Sequence, residues 1–157
     1  MDDIINYVED ETRVTANFHI DCAETLMRES NILLTITLSG AGGALALFIS
    51  MNEEKTGFWL QAGTLATSCY LFLITSIVVW KCLRVRPIFP TGNEPKHLLI
   101  DGFELHQIRT AELKNKQRCI DANRLRNDSV GFWLNRLRFL TTATPIVFIL
   151  TAFLVAC

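Results

Sequence analysis

Three stretches of this 157-residue chain, residues 30–52, 56–80 and 139–157, contain no Asp, Glu, Lys, Arg or His. Each is long enough to cross a hydrocarbon core roughly 30 Å thick, which takes about 20 helical residues. One such run could be a buried helix of a soluble core. Three in so short a chain leave too little polar sequence to wrap them, so the pattern predicts an all-α integral membrane protein. The expected architecture is three transmembrane helices plus N-terminal and central cytoplasmic helices. The expected segments are an acidic helix over 1–30, a membrane hairpin over 31–81, a basic helical segment over 82–138 and a third span over 139–157. The first apolar run follows an acidic leader some thirty residues long, unlike a cleaved signal peptide, so the N-terminus is expected to be kept.

The basic flanks set the orientation. The loop "NEEKTG" holds Lys55 against Glu53 and Glu54, whereas "WKCLRVRP" carries Lys81, Arg84 and Arg86, and "NRLRF" carries Arg136 and Arg138. Basic flanks belong in the cytoplasm, which places the leader and 81–138 inside and the hairpin loop and Cys157 outside. Trp59 would then mark the outer interface, and Trp80 and Trp133 the inner one. The charges are also segregated along the chain. Residues 1–30 hold eight acidic and two basic side chains, while 81–138 hold twelve basic and six acidic ones. The excess could simply satisfy membrane topology, dock the acidic leader on the basic segment, or let Arg109, Lys114, Lys116, Arg118, Arg124 and Arg126 receive an anionic ligand such as a nucleotide.

Little points to catalysis. Cys22, Cys69, Cys82, Cys119 and Cys157 share no ligand spacing, so neither a disulfide framework nor a metal site is expected, and no cofactor. Cys82, beside the membrane, is at most an acylation candidate. "RVTANFH" separates Arg13 from His19 by five residues, which is similar to the Arg-to-His motif of HEPN ribonucleases, but Val14 stands where that motif has a polar residue. His97 and His106 have no carboxylate or cysteine arranged around them, and "GAGG" lacks the following Lys-Ser or Lys-Thr of a phosphate loop. No enzyme is expected.

The local pattern predicts helix over 2–28 with Asp2 or Asp3 as cap, loop over the proline-rich "PIFPTGNEP", and helix over about 102–128. In the last of these, Phe103, Leu105, Ile108, Leu113, Ile120 and Leu125 do not form one clean stripe, so contacts on more than one side are expected. A break is expected at Ser129 to Gly131. Pro145 removes the bond to the carbonyl of Thr141 and predicts a hinge there, with Thr141, Thr142 and Thr144 available for the freed groups.

Within the membrane runs, Thr35, Ser39, Gly43 and Ser50 share one helix face with Gly42 and Ala46 beside them. Ser39 with Gly43, and Gly40 with Ala44, match the small-xxx-small pattern of packed membrane helices. Gln61, Thr64, Ser68 and Thr75 form a second row, polar and uncharged, with Leu71 filling its gap. Such rows either pack between helices or line water; three helices cannot enclose a lumen, so a pore requires several copies.

The layout of a helical leader, "AETLMRESNILLTITLSGAGGALAL" opening a membrane hairpin, a basic cytoplasmic segment and a return to the membrane resembles the small membrane effectors of bacterial anti-phage defence. These include the SLATT superfamily and the transmembrane effectors of Pycsar-type, retron and Hailong systems. The resemblance implies a homo-oligomer, tetrameric or larger, in the bacterial inner membrane, which permeabilises it in abortive infection. The trigger would be a nucleotide or oligonucleotide made by a neighbouring enzyme. The third span, ending outside, departs from relatives that keep two spans and a larger sensor. A phage holin and a non-conducting subunit of a membrane complex are the alternatives.

Overall fold

The computed structural model describes residues 2–54, 57–85, 87–89, 102 and 104–156, and among these the regular structure is entirely helical. The elements are α1 (Asp2–Glu53), α2 (Phe58–Lys81), α3 (Leu105–Thr142) and α4 (Thr144–Ala156). α1 and α2 are each long and apolar enough to cross a membrane; α3 and α4 meet that condition only as a pair, bent by 44°. The expected turn over 90–95, His97, Phe103, the side chains of Asp2 and Asp3, and Cys157 lie outside the described residues.

One expected break is corrected, and α1 joins the leader to the first apolar run as a single helix. α1 runs without interruption through residue 30, because no proline occurs before Glu53 and the change from polar to apolar side chains there alters burial without altering backbone preference. α3 likewise passes straight through Ser129 to Gly131. A single glycine costs a helix about 1 kcal/mol, and here Val130, Leu134 and Leu137, all buried on one face, hold the segment helical. The helix stops instead at Ala143.

The burial pattern of each long helix follows a seven-residue repeat. On α1, Ala16, Ala23, Ser30 and Thr37 are buried at intervals of seven; on α2 the buried series is Thr64, Ser68, Leu71, Thr75, Val78 and Cys82. On α3 it is Ile120, Asn123, Asn127, Val130, Leu134 and Leu137, alternating steps of three and four. This is the spacing of helices that pack side by side at a shallow angle. Of the apolar residues read in this segment only Ile120 joins that stripe, Leu105 and Leu125 being exposed as a set without one clean face allows; two of the stripe's members are asparagines.

The chain forms two compact units. The first comprises the described residues of Met1–Leu26 and Val85–Ser129. In it the Asn127 amide donates to the His19 carbonyl (2.8 Å), and Asn123 grips the backbone of Phe89 twice, accepting from its N–H (3.1 Å) and donating to its carbonyl (3.0 Å). The second comprises Met27–Arg84 with Val130–Cys157. Its closest backbone approaches use glycine. A Cβ on Gly63 would lie 3.0 Å from the Phe148 ring and 3.3 Å from the Ala152 methyl, and one on Gly40 would lie 3.0 Å from Leu71. A Cβ on Gly42 or Gly43 would meet nothing within 4 Å.

These spaces give a prediction. Gly63→Leu overpacks the α2–α4 contact and lowers stability by about 2 kcal/mol, whereas Gly43→Leu leaves the stability of the single chain unchanged. Denaturant titration of the two variants in detergent at monomeric concentration checks the difference.

Candidate functional site

The polar row of α2 is used up against α1 of the same chain. The Gln61 amide donates to the Met51 carbonyl at 3.1 Å and the Ser68 hydroxyl to the Ala41 carbonyl at 2.9 Å. Thr64 donates to the Leu60 carbonyl (2.7 Å) with the Met51 sulfur 3.7 Å away. Thr75 Oγ1 lies 2.9 Å from Thr37 Oγ1. The Thr37 hydroxyl donates to the Leu33 carbonyl (2.9 Å) and keeps lone pairs to accept from Thr75, whose single proton is shared between Thr37 and the Leu71 carbonyl of its own helix (2.9 Å). Ser68 is short enough for its hydroxyl to reach the α1 backbone directly, whereas Gln61 spans the wider gap near the hairpin loop with its amide.

The row on α1 faces elsewhere. Thr35, Ser39, Gly42, Gly43, Ala46 and Ser50 are all exposed, and Thr35 turns its hydroxyl back onto the Asn31 carbonyl (2.9 Å). Residues two apart on a helix point roughly 200° apart, so Thr35, Ser39 and Gly43 necessarily turn away when Thr37 and Ala41 meet α2. The structure thus separates the seven sequence candidates. Gln61, Thr64, Ser68 and Thr75 lie in an intramolecular seam, while Thr35, Ser39 and Gly43 form an unoccupied face of small residues.

At the α3–α4 bend, the carbonyls of Leu140 and Thr141 find side-chain donors in place of the lost helical N–H groups. The Thr144 hydroxyl donates to the Thr141 carbonyl (2.6 Å), the atom that a residue with an N–H at position 145 would have bonded. The Leu140 carbonyl receives the Tyr70 hydroxyl from α2 at 2.8 Å and the Ala143 N–H at 3.1 Å. Thr141 and Thr142 donate to the Leu137 and Phe139 carbonyls (both 2.8 Å). An open crevice of about 660 Å³ borders the bend, lined by Thr67, Pro145, Phe148 and Ile149 among others.

Of the basic candidates, Arg109 is bound most firmly to the leader. Its guanidinium grips Glu9 with two bonds, Nε to Oε1 at 2.9 Å and Nη2 to Oε2 at 2.8 Å, and Nη2 also reaches Asn6 Oδ1 at 2.6 Å. The Arg109 bond holds the Glu9 carboxyl below the ordinary carboxylate range; partial burial opposes this, and the charges of Arg109 and Lys116 reinforce it. Arg124 pairs at 3.9 Å with Asp128 of its own helix, and Lys114 and Arg118 are exposed. Arg126 donates to Asn127 Oδ1 (3.3 Å) through Nη1, while its Nε is buried with no hydrogen-bond partner. In the second unit Arg138 donates to Glu29.

The residues passed over in the sequence reading are Asn123, Asn127, Thr37 and Tyr70. A seven-residue repeat of small side chains, Ala16, Ala23, Ser30 and Thr37, marks Thr37; Asn123 and Asn127 fall on the three-and-four spacing of Ile120, Val130, Leu134 and Leu137 once amides are admitted to it, and Tyr70 has no local signal. Arg13 pairs with Asp10 at 3.1 Å, and the ring of His19 rests edge-on against Phe18. Among the described residues no three His, Cys, Asp or Glu side chains gather where a metal could be held. No protein-family model, curated protein or solved structure matches the chain.

Two outcomes are expected. Thr75→Val, which keeps shape and removes the interhelical donor, destabilises the second unit by about 1 kcal/mol, as does Ser68→Ala; denaturation in detergent measures both. Because the folded Glu9 carboxyl titrates below its unfolded value, its contribution to the first unit is complete above the unfolded value, near about 4.3. It disappears as the pH falls through the lower folded value. Glu9→Gln removes this component, about 1 kcal/mol, and flattens the acid limb of amide-exchange protection around Arg109.

Proposed function

We propose that the protein is a multi-pass membrane effector that self-associates through the exposed small-residue face of α1 and permeabilises the bacterial inner membrane. α1, α2 and the bent α3–α4 pair are the three spans, with the leader and the central helical segment cytoplasmic and the C-terminus outside. The observation that carries this reading is the open space over Gly42 and Gly43, flanked by Thr35 and Ser39 on a helix long enough to span. Small residues gain their value in lipid only where another backbone comes close, and α2 takes the other side of α1. A repeated contact of this kind closes a ring of several copies, here a tetramer or larger. Hydroxyl and glycine surfaces, with no charge at membrane depth, then supply a weakly selective path.

The cytoplasmic unit is the natural receiver of a trigger. Lys114, Arg118, Arg124 and Arg126 offer cationic groups for the phosphates of a nucleotide or oligonucleotide, and the unpartnered Nε of Arg126 supports that reading. The bend at Ala143 lets α4 swing relative to α3, the hinge through which such an event would reach the spans. A non-conducting subunit of a membrane complex is the competing reading, favoured by the saturated hydrogen bonds of Gln61, Thr64, Ser68 and Thr75.

Induced expression in bacteria, followed with a potential-sensitive dye and by crosslinking, separates the two. The effector collapses the membrane potential and halts growth, and Gly43→Leu reduces both the crosslinked oligomer and the collapse about tenfold or more, as loss of a close-packed face would. Oligomers that leave potential and growth intact would sink the pore and leave the structural subunit.

A further inference from the structure

The last turn of α2 and the neighbouring stretch of α3, all within the second unit, place three cations on aromatic rings. Lys81 Nζ lies 5.1 Å from the centre of the Trp133 ring, and the Arg136 guanidinium lies 4.1 Å over Phe132. The Phe132 and Trp133 rings meet edge to face, 6.1 Å apart at 88°. Lys81, Trp133, Phe132 and Arg136 therefore form one continuous run. Beside it, Arg84 lies 5.6 Å from the ring of Trp80, the residue next to Lys81.

None of these three cations belongs to an ion pair among the described residues, in contrast to Arg138, which is committed to Glu29. A ring face attracts a cation but leaves its hydrogen-bond donors for other acceptors: an ammonium has three N–H groups and a guanidinium five. Among the described residues no carboxylate pairs with these three positive charges, which leaves them open to an anion. The rings also fix the cations, so less side-chain freedom is lost when an anion arrives.

We propose that Lys81, Arg84 and Arg136 bind the phosphate of an anionic phospholipid, with Trp80 and Phe132 against its glycerol and upper acyl region. The site rests on the membrane reading above. The lipid, rather than a free phosphate, fits the composition: Trp80 and Phe132 are largely exposed, at 64% and 51%, and a dissolved anion leaves that apolar surface in water. The cluster also stands at the end of the 24-residue apolar α2, where a spanning helix reaches headgroup depth and where Trp and basic residues are anchored.

The test uses the full chain in phosphatidylcholine nanodiscs containing a minor fraction of acyl-brominated phosphatidylglycerol or, in parallel, brominated phosphatidylcholine. In a protein retaining Trp80 and Trp133 but not Trp59 (W59F), the phosphatidylglycerol quenches more strongly. In one retaining Trp59 alone, at the other end of α2, the two lipids quench equally. The K81Q/R84Q/R136Q variant loses the preference by at least about tenfold, and R124Q, which neutralises an exposed arginine elsewhere, keeps it. Equal quenching of the W59F protein by the two lipids, or a preference surviving the triple substitution, would overturn the site. Millimolar glycerol phosphate that abolishes the preference assigns the cluster to a soluble phosphate and overturns the lipid. Failure of the protein to float with vesicles overturns the membrane reading itself, whereas insertion without lipid preference overturns this site alone.

Discussion

Everything that distinguishes the two sides of α1 depends on which residues take the seven-residue seam. Thr37 and Ala41 receive the hydroxyls of Thr75 and Ser68, and this pairing sets the rotation of α1 about its own axis. Once that rotation is set, Gly40 must lie under Leu71 while Ser39 and Gly43 are left open. A purely apolar seam would fix the rotation less sharply, because Leu and Ile slide past one another at little cost. Hydroxyls bonded to particular carbonyls at about 2.9 Å do not. In lipid the alternatives for those groups are poor, so bonds modest in net energy still select one register.

The same requirement explains why the chain can bend inside an apolar run. A break at Ala143 strands carbonyls that have no water to turn to in hydrocarbon. Thr144 from the local sequence and Tyr70 from α2 supply donors in place of lost N–H groups, and Thr141 and Thr142 add second donors to carbonyls of the preceding turn. Proline at the second position of α4 then removes a donor that the start of a helix leaves unbonded anyway. The bend thus leaves fewer carbonyls stranded than a bare break would, and Tyr70 ties its position to α2.

Much of the architecture was legible from charge alone: three uncharged runs, helical throughout, with polar residues between. The hinge region was legible as well, because Pro145 and its threonines act locally. What could not be read was which polar residues face which neighbour. Thr35 and Thr37 are alike in chemistry and lie two positions apart, yet one is exposed and the other fully buried. Only the partner helix decides between them. Asn123 and Asn127 were missed for a related reason. A search for apolar stripes discards amides, although at a helical seam an amide that grips the Phe89 backbone or the His19 carbonyl fixes register as an apolar side chain cannot. The break expected at Ser129 to Gly131 failed in the opposite direction, where a local glycine signal was overridden by buried Val130, Leu134 and Leu137.

The opposite charges of the leader and the central segment also divide into distinct uses once partners are known. Arg109 and Arg138 are spent on Glu9 and Glu29, contacts that hold helices within their own units. Lys81, Arg84 and Arg136 rest on rings, at the end of a helix with the length of a span. Lys114 and Arg118 stay exposed on α3 of the first unit, the unit that also holds the incompletely satisfied Arg126. A basic excess that served only to orient the chain would need charge near the spans and nothing else. The remainder lies far along α3 from the apolar run that follows it, where topology makes no demand on it.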